Sequence, residues 1–294
     1  MPPEVSLFKM PKGINRPELV TRDLMASSLG GRIDPFLVVS LFEMRGPLFP
    51  PHPHAGFSVA TYIFPESEIG FWNQDALGNR NQIPPGALHL TVAGAGVMHE
   101  ETVTRSGRSA LGLQIWIDHA ANDREVTPAA LHLPAASVPT IASHGVLRRV
   151  LLGPSAGLIS PINAPLSARI VDVELQDGAV LEERIPEGET AFAVIRAGEV
   201  ETTAGTAGPA STFFTNSTVL RLTARGHARL TLFGGPPLRH SVVPAGPFVA
   251  SSEAQARAFQ ARFMAGDMGR LTAFDQTELD RKFDQARITK GIGS

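Results

Sequence analysis

The chain contains no cysteine. Disulfides, thiolate nucleophiles, zinc knuckles and iron–sulfur clusters are therefore excluded, and any metal must be bound by imidazole and carboxylate groups. Charged residues make up only 18% of the sequence and the formal net charge is -2, so the charge balance favours neither nucleic acid nor an anionic membrane as a partner. There is no run of about 18 apolar residues to span a membrane, and the N-terminal sequence lacks the apolar stretch of a secretory signal. We therefore expect a cytoplasmic protein with no membrane partner.

Long helical patterns are also scarce, whereas turn residues are abundant, with Gly 28 and Pro 24. Short apolar runs alternate with turn signals through the first half, a pattern typical of an all-β sandwich or barrel. We predict strands over Phe36–Phe42, Phe57–Phe64, Leu88–Ala93 and Leu111–Ile117.

The pattern loosens over residues 118–145, which contain prolines at 128, 134 and 139, and we interpret this stretch as a connection between two β-rich halves. Strand patterns then resume, with apolar and polar residues alternating over 171–175. We predict further strands over Thr190–Ile195, Val219–Ala224 and Ala228–Phe233, the last two as a hairpin across Arg225-Gly226-His227.

One helix is predicted near the end of the chain. Ser252 is a typical N-cap residue, and Gln255 three positions later completes a capping-box pattern. Phe259 and Phe263 then lie on one helical face, which we interpret as packing against a barrel, and Gly266 is a typical helix terminator. The polar segment 275–294 is expected to be a helical or loose tail.

Two histidines flank a proline in the sequence Pro51-His52-Pro53-His54. Side chains two apart in an extended strand point to the same side, so His52 and His54 are expected to project together into a barrel. Pro53 disfavours a helix and stiffens the pair in extended geometry.

A second pair with the same spacing follows at His99 and Glu101, with Glu100 expected on the opposite face. Two neighbouring strands could bring three imidazoles and one carboxylate around one point. That donor set suits Fe(II), Mn, Ni, Cu or Zn better than Ca or Mg. Either pair alone is more often an ordinary surface or core pair, but the two together in a β-rich sequence favour a metal site. The histidines at 89, 119, 132 and 144 have no partner at ligand spacing, and we predict ordinary strand or loop positions for them.

Several blocks of the sequence resemble the motifs of the pirin family in order and in spacing. Asp34-Pro35-Phe36-Leu37 resembles its DPFL segment, and HPHAGF from His52 resembles its HPHRGF signature. Asp75–Asn79 resembles its DSLGN turn, the block from Ala93 to Glu101 resembles AGRGIxHxE, and Gly246–Val249 matches GPFV. The resemblance covers most of the chain.

Membership of this family implies an all-β bicupin, with two jelly-roll (double-stranded β-helix) barrels in tandem and a short C-terminal helix. We predict a metal-binding N-terminal cupin over residues 1–138, a C-terminal cupin without metal ligands over 139–270, and a tail over 271–294. At the place in the second half comparable to the metal motif, residues 186–192 contain no histidine. His227 and His240 are far apart and are expected to be loop residues.

The resemblance also implies a mononuclear iron centre with the ligands His52, His54, His99 and Glu101. Fe(II) is the expected metal, and Mn, Ni, Cu and Zn stay open. Some pirins are similar to quercetin dioxygenases, which implies a small aromatic, flavonol-like substrate and dioxygen as partners and Glu101 as a candidate base. Other pirins resemble regulatory binding proteins controlled by the redox state of the metal, and this alternative stays open, with the protein partner unknown.

The sequence departs from the family pattern at positions that are not ligands. Ala55 stands where the family usually has arginine, Asn73-Gln74 replaces H-R, and Ala87-Leu88-His89-Leu90 replaces D-V-Q-W. If these residues lie near the metal pocket, they bear on the identity of the substrate rather than on the metal.

Overall fold

The computed structural model describes residues 5–289, which are mostly antiparallel β-strands. The first half of the chain contributes β1 Val5–Lys9, β2 Lys12–Arg16, β3 Leu19–Met25, β4 Phe36–Met44, β5 His52–His54, β6 Phe57–Ile63, β7 Phe71–Asp75, β8 Arg80–Ile83, β9 Leu88–Val92, β10 Val97–Val103, β11 Ala110–Asp118 and β12 Ala129–Leu133. The second half contributes β13 Thr140–Ser143, β14 Val146–Leu152, β15 Pro154–Ser155, β16 Leu158–Ile159, β17 Arg169–Leu175, β18 Val180–Arg184, β19 Thr190–Thr202, β20 Gly205–Ala207, β21 Ser211–Thr215, β22 Val219–Gly235, β23 Val243–Ala245 and β24 Phe248–Ala250. The helices are α1 Ala26–Leu29, α2 Glu253–Ala265 and α3 Gln276–Thr289. The all-β prediction is confirmed.

The first barrel consists of two sheets that face each other. One is seven-stranded, in the order β12-β9-β6-β11-β4-β3-β2, and the other is four-stranded, in the order β5-β10-β7-β8. Alternate residues of β6 and β10 point into the space between these sheets, where Ile63 and Val103 share an apolar cluster. The histidine motifs lie on β5 and β10, so the smaller sheet carries the candidate site.

The second barrel is a nine-stranded antiparallel sheet, with the order β1-β21-β19-β22-β17-β14-β13 and with β18 and β20 paired to β22 and β19. Its interior is filled by an apolar cluster that includes Leu181, Phe213 and Leu230. The interior of the second barrel is therefore apolar, whereas the interior of the first barrel carries the histidines.

The predicted hairpin across Arg225-Gly226-His227 is wrong. Residues Val219–Gly235 form one continuous strand, β22, which pairs with β18 through its first part and with β17 through its second part. Gly226 has φ +76°, and the neighbouring strand β19 shows register shifts between Ile195 and Glu199. The turn residues therefore mark an irregularity that lets one long strand serve both parts of the barrel, rather than a reversal of the chain.

A large apolar core joins the two barrels. Outward-facing residues of the seven-stranded sheet, among them Tyr62 and Leu90, share one cluster with Ile170 and Phe192 of the second barrel. The Tyr62 hydroxyl donates to Asp172 Oδ2 across this core at 2.8 Å. The alternation along β6 thus places one face against the second barrel and the other toward the candidate site.

The segment 118–145 contains two short strands. β12 pairs with β9 of the first barrel, and β13 pairs with β14 of the second. The ends of the chain cross between the barrels, since β1 pairs with β21, while α2 and β24 pack on Ala55 and Met98 of the first barrel. The division at 138/139 stays a prediction, and these contacts show that each barrel also uses a segment from the other end of the chain.

The C-terminal helix α2 is confirmed with its capping residues. The Ser252 hydroxyl accepts from the Gln255 backbone N–H at 3.2 Å, and Gly266 ends the helix with φ +85°. Phe259 is fully buried, whereas Phe263 is partly exposed. The tail beyond it forms α3, which contacts β10 through Gln276. Within residues 5–289 no helix is both long and apolar enough to cross a membrane, and the cytoplasmic location stays a prediction.

Candidate metal centre

Three histidines converge inside the first barrel. β5 and β10 pair antiparallel, with His99 opposite His52 and Val97 opposite His54. The ring centroids of the three imidazoles are 4.6 to 4.8 Å apart, and the Nε2 atoms of His52 and His99 are 3.1 Å apart. The i, i+2 spacing on neighbouring strands therefore brings the three imidazoles together.

Hydrogen bonds orient two of these imidazoles. His52 Nδ1 lies 2.9 Å from the Pro50 carbonyl oxygen, and His54 Nδ1 lies 3.2 Å from that of Pro247. A carbonyl only accepts, so each Nδ1 carries the proton and each Nε2 presents its lone pair. Among the residues that the structure describes, His99 Nδ1 has no hydrogen-bond partner.

Burial keeps the imidazoles neutral. It lowers the pKa of His54 to about 3 and the pKa of His99 well below its ordinary value, and neighbouring histidines lower both further. Burial also lowers the pKa of half-buried His52. Neutral imidazole is the form that binds metals, so the site needs little deprotonation before a cation can bind.

Glu101 lies two residues beyond His99 on the same strand and is buried. Its Oε2 accepts from the Thr61 hydroxyl at 2.7 Å. Burial raises the pKa of the Glu101 carboxyl to about 7, against a smaller lowering by the Thr61 hydrogen bond. In the part of the chain described, the group of candidate ligand atoms within 4.8 Å of one another comprises the three histidines and not Glu101. The role of Glu101 as fourth ligand and base stays a prediction.

This donor set fits a divalent transition metal. Three neutral imidazoles with ring nitrogens within 4.8 Å of one another, and a carboxyl two residues further on the same strand as His99, match the preferences of such ions. His52 forms the open side of the group, because it is half-buried whereas His54 and His99 are 4% and 1% exposed. The aromatic ring of Phe49 flanks this side, 6.4 Å from the His52 ring, and Trp116 lies 5.5 Å from the buried His54 ring, both measured between ring centroids.

The turn between the first histidine pair and strand β6 lies in close contact with the backbone at Val249. Gly56 has φ +86°, and a Cβ at this position would lie 1.8 Å from the Val249 carbonyl oxygen. The Gly56 carbonyl accepts from the fully buried Arg124, which also forms an ion pair with Asp118. This ion pair and the missing side chain fix the turn behind His54 against strand β24.

Sequence reasoning missed several residues around the site. His89 was predicted to be an ordinary strand residue, yet it is buried on the interior face of β9, and His132 lies beside it on β12. Trp116 packs against Phe57 and also contacts His54. His240 lies in a loop, as predicted, but its contacts were not foreseen: its Nε2 lies 2.8 Å from both Arg124 and Asp118. The pairing register between distant strands creates these contacts, and no local pattern in the sequence encodes it.

Two tandem β-barrels with a histidine cluster inside the first define a bicupin protein. Family models agree, since the Pirin model matches residues 21–117 and the Pirin C-terminal cupin domain model matches residues 170–269. The chain is 30% identical to Pirin-like protein 2 of Arabidopsis thaliana over 238 residues, 76% of this chain and 72% of that protein. It is 28% identical to Pirin of Homo sapiens over 249 residues, 82% of this chain and 81% of that protein. The chain belongs to the pirin family, as its motifs predicted.

Solved structures support the fold. A quercetin 2,3-dioxygenase from Acinetobacter baumannii superimposes with a TM-score of 0.81 at 21% identity, covering 91% of this chain and 98% of that one. The bacterial pirin YhhW from Escherichia coli, in complex with nickel(II), gives a TM-score of 0.65 at 18% identity, covering 79% and 99%. At these identities the likeness establishes the two-barrel cupin fold.

Proposed function

We propose that this chain is a mononuclear non-haem iron dioxygenase that acts on a flavonol-like, quercetin-type substrate. The observation that carries the proposal is the three-histidine cluster with one half-buried, aromatic-flanked side. A structural metal is expected in a closed four-ligand site, whereas a catalytic metal keeps positions open for substrate. The quercetin 2,3-dioxygenase with the same fold supports the substrate class.

The protein's own groups have distinct roles in this proposal. His52, His54 and His99 hold the metal, which when bound supplies positive charge to acidify and orient a chelating substrate. Glu101 is the fourth ligand or the base that accepts the flavonol hydroxyl proton. In the metal-free protein burial raises the pKa of Glu101 to about 7, and a bound cation would lower it and so favour the ionised form that a ligand or a base needs. Trp116 and Phe49 offer ring faces to a planar aromatic substrate.

A regulatory role is the second candidate, and one contact favours it. His54 Nδ1 lies against the carbonyl of Pro247, so a surface segment that follows the second barrel touches a candidate ligand directly. A change in the oxidation state of the metal could therefore alter the surface around residues 243–250. In that case the protein would bind iron and a partner without consuming substrate.

Metal analysis of anaerobically purified protein tests the proposal, with wild type compared to His54→Ala and then assayed for oxygen uptake with quercetin. The matched control is His227→Ala, which removes an exposed histidine of the second barrel. We expect about one iron per chain in wild type and control, loss of iron in His54→Ala, and flavonol-dependent oxygen consumption only where iron is present.

The outcomes separate the two candidates. Stoichiometric iron without oxygen consumption, together with a metal-dependent change in protease cleavage near residues 243–250, would favour the regulator. A wild-type protein without stoichiometric metal would refute the metal centre itself. Full oxygen uptake by metal-free His54→Ala would refute the metal-dependent mechanism.

A further inference from the structure

Beside the three histidines, polar side chains cross the interior of the first barrel in a row. On the seven-stranded sheet, His89 pairs in register with Thr61 of β6 on one side and with His132 of β12 on the other. Leu88 and Leu90 point to the core between the barrels. His89 therefore points the other way, into the barrel that holds the histidines, because alternate strand residues face opposite sides.

The four-stranded sheet carries a second row opposite the first. Asn73 of β7 pairs in register with Glu101 of β10 on one side and with Asn81 of β8 on the other. Hydrogen bonds close the two rows at both ends, since Thr61 donates to Glu101 at 2.7 Å and Asn81 lies 3.4 Å from His132 Nδ1. We call these residues the polar layer; its members are Thr61, Asn73, His89, Asn81, Glu101 and His132.

His89 and Asn73 occupy the middle of these rows and therefore face each other across the barrel. Both are buried, at 1% and 0% exposure. Asn73 donates to Asn81 through Nδ2, but within residues 5–289 its Oδ1 and both ring nitrogens of His89 have no hydrogen-bond partner. Buried polar groups are nearly always hydrogen-bonded, because an unpaired one weakens the fold. Two such groups face to face, next to a candidate metal centre, indicate a missing binding partner.

The free atoms define the chemistry of that partner. Burial lowers the pKa of His89 to about 3, so its ring is neutral, with one N–H donor and one acceptor nitrogen. Asn73 Oδ1 only accepts. A single hydroxyl can donate to Asn73 Oδ1 and accept from the His89 N–H, which satisfies two of the three unpartnered atoms and leaves the second ring nitrogen of His89 as an acceptor. A carboxylate or phosphate would offer no proton to Asn73.

We infer that Asn73 and His89 form a subsite for one hydroxyl group inside the metal-binding barrel. The hydroxyl belongs either to an ordered water or to a substituent of the substrate; the substrate source rests on the proposed function, and the water source does not. Both residues stand where the sequence departs from the pirin pattern, so the subsite bears on which ligand this chain selects.

Structure determination and anaerobic binding test the inference in metal-loaded protein. Crystals of wild type and His89→Leu, with and without quercetin, are examined for an oxygen atom within hydrogen-bond distance of Asn73 Oδ1 and residue 89. Calorimetry without oxygen compares quercetin with 3-hydroxyflavone, which keeps the chelating pair but lacks the other hydroxyls. His89→Gln restores hydrogen-bonding groups, and Thr212→Val is the control, because it removes an unpaired buried hydroxyl from the second barrel.

A water source predicts the oxygen atom in ligand-free wild type and His89→Gln, and its loss in His89→Leu. A substrate source predicts that the oxygen atom appears only in crystals with quercetin. It also predicts that wild type and Thr212→Val bind quercetin about tenfold more tightly than 3-hydroxyflavone, and that His89→Leu loses this difference in affinity. No oxygen atom at this place in either wild-type structure would overturn the inference. If neither flavonol binds, the proposed substrate class is refuted. The ligand-free crystal structure then still shows whether an ordered water occupies the subsite.

Discussion

Glu101 makes the stability of the metal-free protein depend on pH in a direction opposite to that of ordinary paired carboxylates. Its pKa is about 7 in the folded protein against an ordinary value of 4.5, because burial penalises the charged form. A raised pKa means that the folded chain keeps a proton which the unfolded chain releases. The stability that this proton provides is complete below pH 4.5 and is lost as the pH rises through 7.

The size of the effect follows from the two pKa values. Each pKa unit corresponds to about 1.4 kcal/mol, and between pH 5 and pH 8 the cost of Glu101 to the folded state grows by about 2 to 3 kcal/mol. Glu101→Gln cannot ionise but can still accept from Thr61. We therefore expect this variant to gain about 2 to 3 kcal/mol of unfolding free energy relative to wild type between these pH values.

Urea unfolding of metal-free protein, followed by tryptophan fluorescence, measures this difference. Both tryptophans, Trp72 and Trp116, lie on strands of the first barrel, so the signal reports the unit that contains Glu101. Glu68→Gln is the control: hydrogen bonding at the surface lowers the pKa of Glu68, so its carboxylate is ionised at both pH values. An unfolding free-energy difference between Glu101→Gln and wild type that is the same at pH 5 and pH 8 would refute the reasoning.

Three further substitutions test the packing of helix α2, its N-cap and the hydrogen bond between the two barrels. Phe259→Ala should lower the free energy of unfolding by about 3 to 5 kcal/mol, because it opens a cavity between helix α2 and the first barrel, where the Phe259 side chain is fully buried; a loss no larger than that of Met264→Ala, at a 73% exposed position, would contradict this. Ser252→Ala should cost about 1 kcal/mol through loss of the N-cap hydrogen bond, measured by urea unfolding, and Ser252→Asp should restore most of it if the cap is the cause. Tyr62→Phe should cost about 1 kcal/mol in the same assay, since Asp172 keeps its arginine partners; an unchanged value would show that the hydrogen bond across the barrels contributes nothing.

The sequence was sufficient to predict the three clustered histidines and several of the longer strands, because those features depend on local spacing. His52 and His54 share a face through simple alternation, and the runs over β4, β6, β9 and β11 agree with the structure to within two residues. Local signals failed where pairing decides the outcome. Arg225-Gly226-His227 has the composition of a turn, but partners on both sides of β22 keep the strand continuous.

The surroundings of the metal site depend on contacts between distant parts of the chain. His89 pairs in register with Thr61 and His132, which lie 28 and 43 positions away in the sequence. Pro247 reaches His54 from 193 residues further along the chain. Such contacts follow from the register of strands and the crossing of segments between barrels, and neither has a signature within a short window of sequence.

The crossing of the chain ends has a consequence for the order in which the protein is made. Strand β1 can pair with its partner β21 only after residue 215 has been synthesised. The carbonyl that orients His54 and the strand that closes on Gly56 appear later still, at residues 247 and 249. Domains made early usually fold during synthesis, but here the pocket is complete only after residue 249 has been translated. A metal held by this pocket would therefore be enclosed only after residue 249 has been synthesised.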